Sequence, residues 1–130
     1  MIMELLNLNN GDAFTENFEV TEKYTALSLG TGTVPVLSTA ALVIAVENFS
    51  MIKVQSNLPE GYTSVGTRFE ITHLYPSPIG AVIKIEIKII RLEENRVDFH
   101  FIASEGDKAI ATGTHRRAFV NTESFLSKIS

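Results

Sequence analysis

Residues 36–55 read VLSTAALVIAVENFSMIKVQ, and the way this stretch folds governs the arrangement of everything around it. Its length suits a long helix. Ser38 or Thr39 supplies a hydroxyl to cap the first turn, and Leu58, Pro59 and Gly61 close the element. The first half is apolar nearly all round, which a surface helix does not tolerate, so the expectation is that strands wrap it on most sides.

Downstream, residues 63–120 read as strand, with breaks at 76–80, at Glu94 and Asn95, and at Gly106 and Asp107. In residues 81–91 Ile83, Ile85, Ile87 and Ile89 alternate with Lys84, Glu86 and Lys88. That period of two gives an antiparallel sheet with one dry face and one wet face. Val97, Phe99 and Phe101 repeat the pattern, so the strands are expected to form a meander. Upstream, residues 14–27 alternate loosely enough for a first strand, and the loop LSLGTGTVP leads into the helix. Residues 121–130 suggest a short terminal helix docked by Phe125, Leu126 and Ile129.

One buried helix with about five antiparallel strands curled around it is an α+β arrangement, the hotdog fold. Its chief competitor, a cone-shaped sheet of the ketosteroid isomerase type, normally opens with two or three helices, and one is visible here. The 130 residues are the size of one domain, so residues 1–130 are read as a single domain. The hydrophobic fraction of 45% and charged fraction of 20% exclude a disordered chain. A net charge of -4, with 11 scattered Lys and Arg, offers no field for nucleic acid or anionic membranes. The N-terminal MIMELLNLNNGD lacks the pattern of a secretory signal, and no apolar run approaches the ~18 to 20 residues that cross a bilayer. A cytoplasmic location is expected.

With no Cys, any chemistry falls to oxygen and imidazole. Glu47 interrupts the apolar helix directly after Val46; it either points to water or is a carboxylate held in a site, and pattern alone favours water. Thr39, eight residues earlier, is an N-cap by its ordinary reading. Its sharper reading is a hydroxyl touching substrate where free amides favour negative charge, and both can hold. Eight helical residues span ~12 Å, too far for Thr39 and Glu47 to touch. His73 is the candidate to bridge them: in RFEITHLYP it shares the parity of Phe69 and Ile71 and projects from the apolar face. An isolated His on such a face is also commonly a satisfied core residue. His100 shares parity with Asp98 and is assigned no role.

His115 and Arg117 lie on one face of GTHRRAF, the last long strand. Arg117 could hold a phosphate or carboxylate, although a surface Arg on an edge strand is the commoner explanation. The three His are 27 and 15 residues apart and show no metal-ligand spacing, so no metal is expected. The loop Gly30-Thr31-Gly32-Thr33 fails as a dinucleotide fingerprint because Pro35 takes the place of a third glycine.

Three ordered blocks now carry a resemblance: Ser38-Thr39 with Glu47, SVGTRFEITHLYPSPIG at 64–80, and GTHRRAF at 113–119. Over roughly residues 15–125 the chain resembles the fluoroacetyl-CoA thioesterase-like branch of the hotdog thioesterases. The resemblance implies a catalytic set falling on Thr39, Glu47 and His73, a backbone amide of Gly66 offered to the thioester oxygen, and Arg117 near the substrate pocket. It also implies a homodimer with sites at the subunit interface, with pairing into tetramers left open, and no cofactor beyond the CoA of the substrate. The segment SLGTGTVP is short and lacks the aromatic-bearing lid of the fluoroacetyl-specific members. The substrate expected is therefore a short-chain or otherwise unidentified acyl-CoA, hydrolysed to acid and free CoA. The alternative is a non-catalytic hotdog module binding an acyl thioester or another apolar ligand, and a hydratase ranks below both.

Overall fold

A computed structural model describes residues 7–130; Met1 to Leu6, half of the segment read as lacking a secretory signal, lie outside the described residues. Strand β1 (Ala13–Glu19) is followed by a 3-10 turn (Glu22–Tyr24), the short helix α1 (Ala26–Leu29) and the long helix α2 (Thr39–Gln55). Then come β2 (Tyr62–His73), β3 (Val82–Leu92), β4 (Arg96–Glu105), β5 (Lys108–Asn121) and the terminal helix α3 (Thr122–Ser127). The five strands form one antiparallel sheet in the order β1-β3-β4-β5-β2, and α2 lies across its apolar face.

Helix α2 begins where its sequence supplies a cap: Ser38 Oγ accepts from the Ala41 amide at 2.9 Å. Ser38, rather than Thr39, is therefore the N-cap, and Thr39 is the first helical residue. Ala41, Leu42, Val46, Ser50 and Val54 form the buried side of the helix, against the alternate Ile residues of β3 and Val97, Phe99 and Phe101 of β4. Each buried Ile or Phe contributes on the order of 1.5–3 kcal/mol through removal from water. The sheet covers one side of α2 and leaves another open, with Ile44 57% and Ile52 55% exposed. The expectation of strands on most sides is corrected accordingly: an antiparallel sheet of five strands curls around half of a helix.

Two further expectations change. The first strand stops at Glu19 instead of reaching residue 27, because Thr25 caps α1 through its hydroxyl and Gly30 ends it in the left-handed region at φ 74°. The strands after α2 also do not run as one meander. Only β3, β4 and β5 are consecutive neighbours; β2 lies beyond β5 at the opposite edge from β1. Residues 74–81 carry the chain across, with Pro78 bridging Val36 and the Ser77 carbonyl accepting from the Leu37 amide at 2.9 Å. This crossover ties the end of β2 to the entry of α2. Helix α3 forms under an Asn121 cap, but Phe125, Leu126 and Ile129 are 36%, 52% and 74% exposed, so the predicted docking does not occur within this chain.

Gly113 shows how closely β5 is held between its neighbours. A Cβ there would collide with the Glu70 carbonyl and come within 2.8 Å of the Phe101 ring. Because the obstruction is backbone on one side and a buried ring on the other, Gly113→Ala is expected to destabilise the chain by about 3 kcal/mol or more, measured as a lowered urea midpoint.

Candidate active site

The crossover and the helix cap bring the first group of candidate residues together. His73 ends β2, Thr39 opens α2, and Thr39 Oγ1 lies 2.9 Å from His73 Nδ1. The parity argument for His73 holds: it faces the helix side of the strand. Its Nε2 is buried without a hydrogen-bond partner among the described residues. Burial lowers its pKa below the ordinary 6.5, and the backbone of Tyr75 opposes this without reaching hydrogen-bond geometry. The ring is therefore neutral at pH 7 and able to take a proton. Beside the pair lies a cavity of about 330 Å³, walled by Ala26, Val36, Leu37, Leu74 and Tyr75 as well as Thr39 and His73.

A second group forms two helical turns along α2. Glu47 faces the sheet with 44% of its side chain exposed, and its Oε2 lies 3.7 Å from Arg117 Nη1. That carboxylate packs so close to Gly66 that a Cβ on the glycine would approach Oε2 to 2.6 Å. Gly66 borders a bulge at Thr67 in β2. The reading of Glu47 as a solvent charge is half right, since it is partly exposed yet aimed at Gly66 and Arg117.

Arg117 departs from its surface reading altogether. It is 6% exposed, because β5 is flanked by both β4 and β2 and so is not an edge. Its Nε donates to Ser64 Oγ at 2.8 Å, its Nη2 to the Ser64 carbonyl at 3.1 Å, and its Nη1 lies 3.2 Å from His115 Nε2. His115, 2% exposed, contacts the Arg68 carbonyl through Nδ1 at 2.9 Å and is flanked by the rings of Phe69 and Phe99. Burial lowers its pKa most; the bond to the Arg68 carbonyl opposes this, the Arg117 cation lowers it further, and Glu47 raises it slightly. Ser64 and His115 went unassigned in the sequence. The available signal was parity: His115 and Arg117 share the parity of Ala111 and Phe119, which are core.

No hydrogen bond or ion pair among the described residues joins the two groups. His73 reaches Thr39 but not Glu47; seven steps along β2, roughly 23 Å, separate His73 from Gly66. The bridge expected of His73 does not exist within one chain.

Both imidazoles, His73 and His115, make stability depend on pH. Their folded pKa values lie below the unfolded value near 6.5, so the unfolded chain takes up protons first as pH falls. Their contribution is complete above pH 6.5 and is lost as pH drops through the folded values. The melting temperature should therefore be level from pH 8 to 7 and decline below about 6.5, as followed by circular dichroism.

One antiparallel sheet of five strands curled on one long helix defines a hotdog protein. The sequence matches the family described as fluoroacetyl-CoA-specific thioesterase, FlK, over residues 20–123, and the chain belongs to that family. A fluoroacetyl-CoA thioesterase of Streptantibioticus cattleyicolor is 31% identical over 72 residues, covering 55% of this chain and 52% of that relative. The aligned stretch thus spans about half the length of the curated relative. The solved structure of the fluoroacetyl-CoA thioesterase FlK superposes with a TM-score of 0.88 at 26% identity, covering 95% of this chain and 96% of that one. A hot-dog-like protein from Thermanaerovibrio acidaminovorans gives 0.87 at 26% identity, covering 97% and 92%. A thioesterase superfamily member from Thermus thermophilus shares the fold, with a TM-score of 0.82 at 21% identity over 93% and 92% of the two chains. No helix among the described residues is long and apolar enough to cross a membrane.

Proposed function

We propose that this protein hydrolyses a short-chain acyl-CoA to the acid and free CoA, without metal or cofactor, at a site that two copies of the chain build together in the cytoplasm. The observation that carries this reading is the separation of the two groups on one helix. Thr39 with His73 and Glu47 with Gly66 and Arg117 hold complementary parts of one reaction, yet do not meet within a chain. Strand β2, which bears both His73 and Gly66, is an edge of the sheet with one side unpaired. Pairing of two β2 edges about a two-fold axis would run the strands antiparallel and bring His73 of one chain toward the Gly66 region of the other.

In that arrangement the thioester carbonyl lies against the first amides of α2 and the amide of Gly66 of the partner subunit. A well-aimed donor contributes about 3 kcal/mol to stabilising the developing oxyanion. Glu47 of the partner subunit supplies the electron pair, either to the carbonyl carbon or to a proton of the attacking water. The carbon–sulfur bond breaks, and His73, oriented by Thr39, relays to the leaving thiolate a proton that it first takes from water. Water completes the acid in both routes. The acyl group occupies the apolar cavity beside Thr39.

The test is thiol release from acyl-CoAs ranging from acetyl to long-chain, with the oligomeric state read by sedimentation. Release from short-chain members by a dimer or a multiple of it is expected. Folded protein that releases no thiol from any member would reject the reading.

A further inference from the structure

The surroundings of Arg117 contain a residue that the proposed chemistry does not use. Arg117 has only donors, and each of its nitrogens is committed: Nε and Nη2 to Ser64, and Nη1 between His115 Nε2 at 3.2 Å and Glu47 Oε2 at 3.7 Å. The Arg68 carbonyl only accepts, so His115 Nδ1 must donate to it. That leaves Nε2 as the lone-pair nitrogen facing the guanidinium, which only a neutral ring can offer. The bond between His115 and Arg117 thus exists in one tautomer and one charge state.

We infer that His115 is a positioning residue for Glu47, a tautomer-locked acceptor that holds Arg117 Nη1 just short of hydrogen-bond contact with the carboxylate. This inference rests on the reading of Glu47 as the reacting carboxylate. At 3.7 Å the guanidinium lies beyond the ~2.7–3.2 Å of a true hydrogen bond to the carboxylate. A carboxylate tied bidentately to Arg has its lone pairs occupied and is a poorer base and nucleophile. His115 competes with Glu47 for Nη1, and that competition keeps an oxygen of Glu47 available. The charged groups facing His115 are Arg117 on β5 and Glu47 on α2, while Phe69 on β2 and Phe99 on β4 flank it without charge. Towards the outer face Arg68 pairs with Glu70 and Arg116 with Asp98. Burial keeps the ring neutral in the working pH range.

The test is His115→Phe, whose ring suits the space between Phe69 and Phe99 but accepts nothing. Arg117 should then close on Glu47, lowering kcat about 10-fold or more with little change in KM. His115→Gln, which retains an amide oxygen, should restore part of kcat. In an Arg117→Met background His115→Phe should have no further effect, since its action runs through the guanidinium. Nitrogen-15 NMR of the wild-type ring, which needs no activity and no variant, should show a neutral Nδ1–H tautomer. Wild-type kcat in a folded His115→Phe protein, additive losses in the double variant, or an Nε2–H ring would each overturn the inference. Undiminished turnover in Glu47→Gln would instead remove the reading on which it rests, and the NMR result would still decide the tautomer.

Discussion

Glu47→Gln is expected to lower kcat for acyl-CoA hydrolysis by about 1,000-fold, or about 4 kcal/mol in the barrier, while acyl-CoA binding changes only a few-fold. Glutamine keeps the shape of the side chain beside Gly66 and a dipole toward Arg117, so packing and stability survive. It loses the electron pair that attacks the thioester or takes a proton from water, and Arg117 beside it, which has only donors, cannot replace that pair. Stopped assays of thiol release, with calorimetric titration of an acyl-CoA into the variant, separate the two effects. A variant that turns over like the wild type would remove Glu47 from the chemistry.

Gly66→Ala is expected to lower kcat/KM about 100-fold with almost no change in melting temperature. The added methyl would stand 2.6 Å from Glu47 Oε2, 3.3 Å from the His115 ring and 3.4 Å from Arg117 Nη1. Of these, the half-exposed carboxylate yields most easily, because it is the far end of a flexible side chain. It would move by about an ångström, and a misplacement of that size in a reacting group typically costs on the order of 100-fold. A loss of stability matching the loss of activity would instead make Gly66 a purely structural glycine. The contrast with Gly113→Ala is instructive, because there the obstruction is backbone and a buried ring.

The sequence revealed those parts of the structure that depend on local period. Alternating Ile on β3 and Val and Phe on β4 fixed which face is dry, and the apolar run after Ser38 fixed the helix. The parity of His73 placed it toward α2, where it meets Thr39. Strand order was not legible, because periodicity says which face a side chain takes but not which strand lies beside which. Residues 74–81 were long enough to cross the sheet, and their crossing puts β5 inside it and buries Arg117. Glu47 stood out by pattern, as a charge interrupting the apolar helix, whereas Gly66 was singled out by resemblance; their proximity comes from α2 crossing the bulge in β2. Ser64 and His115 became visible only once Arg117 was found buried and its donors were followed to their acceptors. The exposed Phe125, Leu126 and Ile129 mark the opposite failure, an amphipathic tail whose apolar side chains find no seat on this chain.

Complementation tests most directly the claim that acyl-CoA hydrolysis occurs at a site drawing Thr39 and His73 from one chain and Glu47 from another. His73→Ala and Glu47→Gln chains, each inactive alone, are co-expressed with different tags, and thiol release is measured on the mixed population. Half of randomly assembled dimers are mixed and each mixed dimer holds one intact site, so activity should return to about one quarter of wild type. Mixed dimers, verified by both tags, that release no more thiol than either parent would contradict a shared site and return both residues to the same chain.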